Sequence, residues 1–353
     1  MFGRGQKVGD GALAIQASGD VNITQGMTAT QMTEIMVGLA KQISIYQMDA
    51  EMKVVERLSN FREEILKEFS KSEGANSEAF RDPDFQFLLN RAQQAYVRSG
   101  DDIVGENLVQ MISERSKEKS RTRLSLCLNQ ALETAAVLTE NEFAQLSLFF
   151  CLRHTKNFTV TNKETFSQYF ATYIAPFMGN VSTENMSYQY LLAQQCVTIN
   201  HLSAVKIEEA LLQSYGGVFS KGFTEDVIRK HLLENNFEKI LIEGLVIKCL
   251  NDPNKLQFNS VSVEDIKTRL ELVGLNTQEV KALCEEFQGS FFKGDELVEN
   301  LTSCYAEFSR LKSIWDNTPL KQMTLTALGI VIGHANLKRV VPSFKADLGV
   351  WVK

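Results

Sequence analysis

The chain has 353 residues, 44% of them apolar, with a formal net charge of −6. That length exceeds one typical domain and that apolar content supports a real core. The modest negative charge gives no global attraction to nucleic acid or to an anionic membrane surface.

Only five prolines occur, against an average usage of roughly 5%. Proline breaks helices, so its scarcity predicts long helices joined by short links. The six cysteines, Cys127, Cys151, Cys196, Cys249, Cys284 and Cys304, form no Cys-x-x-Cys pair. Most sit in apolar helical patterns, where free cysteine behaves as a small hydrophobe, and a reducing cytoplasm is the expected setting. No apolar stretch marks a secretion signal behind Met1. No apolar run approaches the roughly 18 residues that cross a bilayer.

In chain order, residues 1–11 are glycine-rich and polar. Leu13, Ile15 and Ala17 then alternate with Ala14 and Gln16, and Val21 and Ile23 alternate with Asn22 and Thr24. Period two predicts two short strands, with Ser18-Gly19-Asp20 as the turn. A lone hairpin is marginal in water, so Leu13, Ile15, Val21 and Ile23 need a cover. Either the body supplies it or other copies of the chain do.

Thr28-Ala29-Thr30-Gln31 fits a capping box. From there Met32, Met36, Leu39, Ile43, Tyr46 and Ala50 recur at steps of four and three, a heptad seam. Val54, Leu58, Phe61, Ile65 and Phe69 continue it with wider steps, as a stutter would. The same spacing also suits a long helix lying on its own body. Gly38, Gln42 and Gln47 weaken a pure zipper. The helix is expected to stop near Ser72-Glu73-Gly74, with a link to Ser77.

Asp82-Pro83 is a strong helix start. Helices are expected over about 83–98, 101–116, 121–137 and from Thr139-Glu140-Asn141-Glu142, a second capping box. The last of these is apolar almost all round and should be central. Residues 157–161 are expected to form a strand or a turn. Further helices are expected at about 163–175, 183–197, 203–214, 224–250, 263–273, 277–288, 295–315 and 320–337. Thr224, Ser262 and Thr277 are the expected N-caps and Gly274 a C-cap. Leu348-Gly349-Val350-Trp351-Val352 alternates and reads as a short C-terminal strand. The expected fold is mainly α: a short N-terminal β segment, a long amphipathic helix and a multi-helix body. Residues 1–74 form the assembly element and 75–353 the body, with a subdivision near 155–162 or 251–262.

Several stretches resemble one family of uncharacterised bacterial proteins of about this length. They are Asp82-Pro83-Asp84-Phe85-Gln86, Ala95 to Asp102, Gly105-Glu106-Asn107-Leu108-Val109 and Ser113-Glu114-Arg115-Ser116. Gly19-Asp20-Val21-Asn22-Ile23 is similar to that family's N-terminal segment, and Leu325 to Leu337 with Leu348 to Val352 to its tail. The resemblance implies a bacterial origin and no activity. Segments like Gly-Asp-Val-Asn-Ile also occur in proteins of bacterial defence islands, which suggests a role in stress or phage defence.

No constellation announces chemistry. His154, His201, His231 and His334 stand in no His-x-x-x-His or His-Glu-x-x-His arrangement, so packing roles are expected for all four. No Gly-x-Ser-x-Gly elbow and no phosphate-binding Gly-rich loop exists. Glu279-Val280-Lys281 matches a nuclease dipeptide spacing in a helical context, where it carries no weight. Arg115, Lys117, Lys119, Arg121 and Arg123 are the densest basic run. It could meet phosphates, but no aromatic residue interleaves it, so a solvated link is preferred. Gly329-x-x-x-Gly333 permits close helix approach, expected inside the fold. No catalytic residue, metal ligand or cofactor site is assigned.

The expected function is a homo-oligomeric interaction or scaffold protein of the cytoplasm, its own copies the chief partner and a further protein partner left open. Its assembly contacts are Leu13, Ile15, Val21, Ile23, Met32, Met36, Leu39, Ile43 and Tyr46. One alternative is an enzyme with a site in the helical body, acting on nucleic acid. Another is a nucleic-acid binder using residues 115–123. Neither nucleic acid nor a membrane is the favoured partner.

Overall fold

The computed structural model describes residues 29–353 except 73, 234 and 235. The hairpin expected over 12–25 therefore lies outside the described residues. The chain divides into two compact units, Met1–Val55 and Glu56–Lys353. Helix α1 (Ala29–Lys71) runs through the division. The Glu56–Lys353 unit thus includes the last turns of α1, which the sequence reading assigned to the 1–74 element.

Within that unit, Phe61 and Ile65 of α1 are buried. Phe61 stacks on Tyr96 at 5.2 Å between centroids, and Arg57 donates to the Val97 carbonyl at 2.6 Å. Helix α2 (Pro83–Ser99) starts as expected: Asp82 accepts from the Asp84 N–H at 3.0 Å, Pro83 takes the first position and Gly100 closes the end with φ of 63°. Helices α3 (Asp102–Lys117), α4 (Arg123–Ala135) and α5 (Glu140–His154) follow, the first two capped by the Asp101 and Thr122 side chains and the third with the Thr139 N–H donating to Glu142 at 3.0 Å. The Thr139–Glu142 box opens α5, whose residues from Glu142 to Leu152 are all buried. That helix is central, as its all-round apolar character requires.

Helix α6 (Lys163–Tyr169) passes through a π turn, Phe170–Ile174, into α7 (Ala175–Met178). Pro176 has no N–H to give to the fourth residue back, and the ladder widens just before it. Then come α8 (Asn185–Ala193), strand β1 (Val197–Ile199) and α9 (Ile207–Tyr215).

A smaller apolar cluster gathers Phe223, Ile228, Phe237, Phe258, Leu283 and Phe287 among others. It is built from α10 (Glu225–Arg229), α11 (Asn236–Ile242), β2 (Val246–Lys248), β3 (Leu256–Phe258), α12 (Val263–Leu272) and α13 (Thr277–Gly289). The chain enters and leaves it side by side. Ser220 pairs with Phe291, Lys221 N–H donates to the Ser290 carbonyl at 2.7 Å, and Phe292 N–H to the Phe219 carbonyl at 2.9 Å.

Helices α14 (Gly294–Cys304) and α15 (Phe308–Asn317) lead to β4 (Met323–Leu325) and α16 (Ala327–Val340). Strand β4 pairs antiparallel with β1, Val197 opposite Leu325, and β2 pairs antiparallel with β3. Helix α16 packs on α5, α3 and α4. A buried amide network fixes it there. Asn336 donates to the Phe143 carbonyl and to Ser147 Oγ, at 3.2 and 2.7 Å, and Asn107 donates to Asn336 Oδ1 at 3.2 Å.

The described residues are mainly helical, as expected, with corrections. The continuous helix expected over 224–250 is α10, α11 and β2, because Gly244 stops α11 with φ of 64°. The one over 295–315 is two helices, broken where Tyr305 is extended. Residues 320–325 form a 3-10 turn and β4 rather than the start of a helix. Residues 157–161 form a turn. The N-cap of α13 is Asn276, one residue before Thr277. The expected C-terminal strand is a 3-10 turn, Leu348–Val350. Its alternation matches burial and not a strand: Leu348 and Val352 are buried while Val350 is exposed, and the Val352 N–H donates back to the Leu348 carbonyl at 3.3 Å.

Candidate functional site

Helix α1 carries an unusual surface. Met32, Met36, Leu39, Ile43 and Tyr46, the expected seam, are 53–66% exposed. At about 100° per residue these fall with Ile35 within one arc of about 100°. Val37, Ile45, Met48, Met52 and Val55 fall on the opposite side, and all are more than half exposed. The helix therefore has two mainly apolar faces, the second interrupted by Glu34 and Lys41, with Asp49 and Glu51 between them. The heptad count found the first face and missed the second. Leu13, Ile15, Val21 and Ile23 lie outside the described residues.

The basic run is not five free cations. Arg115 is 4% exposed and donates to Asp84 Oδ2 at 2.8 Å, to Asn129 Oδ1 at 3.1 Å and to the Glu118 carbonyl at 3.1 Å. The Arg115 guanidinium and the Asn129 amide hold the Asp84 carboxyl below its usual range. Lys117 pairs with buried Glu114 at 3.0 Å, and Lys338 pairs with the same carboxylate at 2.5 Å. Burial would raise the Glu114 pKa, but the two ammonium groups outweigh it and the net direction is down. Lys119, Arg121 and Arg123 are the exposed members. Sequence reading had no signal separating the two sets, because Asp84 lies far off along the chain.

The histidines differ from one another. His334 is buried against Phe150, Phe344 and Trp351. Its Nε2 lies 2.9 Å from the Ala346 carbonyl, so that nitrogen carries the proton, while Nδ1 has no partner. Burial lowers its pKa and keeps it neutral. His231 meets Glu286 at 2.9 Å, and His201 is exposed. His154 stacks on Phe150. Burial, then neighbouring Arg153, lowers its pKa, so it does not serve as the charged end of α5.

The Gly329–Gly333 pair packs internally. Gly329 faces the Cys196 carbonyl and Gly333 the Leu146 carbonyl. Burial pushes the Cys196 thiol up to about 12, so it is no nucleophile at neutral pH. Among the described residues no group of His, Cys, Asp and Glu could hold a metal ion. No described helix is long and apolar enough to cross a membrane.

The class these features define is a mainly helical protein with four three-residue strands among its described residues. The sequence model of an uncharacterised protein family matches residues 26–352, and the chain belongs to that family. The Gly19–Ile23 segment precedes the matched residues. No curated protein and no solved structure matches the chain.

Proposed function

We propose that this chain is a self-assembling interaction protein whose copies join through α1. The observation that carries the reading is the pair of opposite, exposed apolar faces over Met32–Val55. Contiguous apolar surface of this kind marks an interaction site. The heptad steps of the first face are self-complementary, so a second copy is the natural occupant. One stripe would serve a two-fold dimer, in which both copies present the same patch. Two opposite stripes give each helix two neighbours, so three or more copies join, with first faces meeting one another.

Cysteine cross-linking in the full chain tests the reading. Leu39→Cys on the first face should form inter-chain disulfides under mild oxidation. Asp49→Cys, between the faces, should form far fewer. Equal yields at both positions would remove α1 from the interface.

A further inference from the structure

A cleft of about 200 Å³ opens beside the C-terminal end of α5. Arg153 and His154 come from α5, Lys321 and Gln322 from the 3-10 turn before β4, and Asn200 and Ser203 from the loop after β1. Phe149 and Trp315, stacked at 5.8 Å and 7°, are buried behind it. No aspartate or glutamate lines it.

The charge arrangement is out of balance. Arg153 is half-buried, and among the described residues it has neither an ion pair nor a hydrogen-bond partner. The end of α5 favours a cation through the helix dipole. That small effect explains a basic residue there, and not why a half-buried guanidinium lacks a carboxylate. Burial is the only cause acting on its pKa, and it acts downward. Lys321 adds a second cation, its ammonium held at 2.5 Å by the Asp316 carbonyl, a neutral group that leaves the charge uncompensated. A second basic cleft differs. The one formed by Lys67, Lys117, Lys338 and Arg339 also contains or overlies Glu64, Glu106 and Glu114, which pair those cations.

We propose that the cleft beside Arg153 binds phosphate, free or as the phosphoryl group of a small molecule. A guanidinium fork and an ammonium suit a tetrahedral oxyanion. Asn200, Ser203 and Gln322 supply neutral polar groups around it. The volume limits the ligand to a small molecule. This site is independent of α1 assembly.

The test uses the full chain and inorganic phosphate as the probe, against chloride at matched ionic strength. Two tryptophans occur in the chain, and Trp315 lies buried beside the cleft, so tryptophan emission and the melting temperature both read binding. The expected result is a saturable change with phosphate. Arg153→Gln and Lys321→Gln should each weaken it by about tenfold or more, while Arg153→Lys keeps much of it. In phosphate-free buffer Arg153→Gln should melt higher than the parent, because it removes an uncompensated charge. An arginine kept for structure would instead lower the melting temperature when replaced. The proposal is overturned by no saturable response in the parent, or by one that neither glutamine variant alters. It is overturned as to phosphate if acetate produces the same saturable response. If Arg153→Gln does not fold, Lys321→Gln and Arg153→Lys decide between these outcomes.

Discussion

Gly333 faces the backbone carbonyl of Leu146 so closely that a Cβ at residue 333 would lie 2.9 Å from that oxygen. At Gly329 the corresponding distance to the Cys196 carbonyl is 2.1 Å. In both cases the obstacle is backbone, which cannot swing aside as a side chain does. These two contacts set how near α16 lies to α5 and to Cys196, the residue before β1.

Alanine at either position should therefore destabilise the fold, with Gly329→Ala the worse. Overpacking costs about 1–3 kcal/mol, set against a helix-propensity gain of up to about 1 kcal/mol. Urea midpoints at constant slope measure this. Equal or higher stability for Gly329→Ala would mean that α16 can shift without loss.

Glu114→Gln should cost about 3 kcal/mol, the scale for breaking a buried pair, since it leaves Lys338 and Lys117 without their anion. The pH dependence has a definite sign. The folded-state pKa of Glu114 lies below its ordinary 4.5, so the unfolded chain takes up the proton first as pH falls. Its contribution is complete above about 4.5 and is lost below that value. Parent and variant should differ clearly at pH 7 and converge in acid. A constant difference down to pH 3 would exclude the carboxylate as its source.

Within the basic run the two sets should separate. Arg115→Ala should lower stability by about 2–3 kcal/mol through the loss of its hydrogen bonds to Asp84 and Asn129. Replacing Lys119, Arg121 and Arg123 with alanine should change it by about 0.5 kcal/mol or less each. A melting series checks both. Any nucleic-acid affinity of this segment would have to reside in the second set.

The body should fold from Glu56. A fragment starting there keeps Phe61, Ile65 and the Arg57 contact to Val97. One starting at residue 75 loses them and should be less stable by about 3 kcal/mol or more, the scale of an emptied phenylalanine site. Thermal melts of the two fragments decide. Identical melting would show that the last turns of α1 contribute nothing to the body.

Much of the helical skeleton was legible, and for identifiable reasons. Asp82-Pro83, Thr139 with Glu142, and Ser262 announce helix starts through local chemistry, and α5 announces its burial through its composition. Strands β1 to β4 were not legible, since three residues are too few to show a period of two. Tyr305 and Gly244 end helices inside stretches whose apolar spacing stays helical. The Arg153 cleft was hidden for a different reason. Its neighbours Asn200, Trp315 and Lys321 converge only through the β1–β4 pairing, and an arginine without a carboxylate is defined by what the fold fails to bring near it. The first face of α1 was readable as heptads; the second lay outside that register.

The native mass of the full chain, measured by light scattering across a wide concentration range, decides whether copies join through α1. At least three times the 39.7 kDa of one chain is expected. Replacing Leu39 and Ile43 with aspartate should reduce that mass while the body keeps its melting temperature, as distant sites act independently. A two-chain mass would mean that something other than a third copy covers the second face. A mass of one chain at every concentration would contradict assembly through α1.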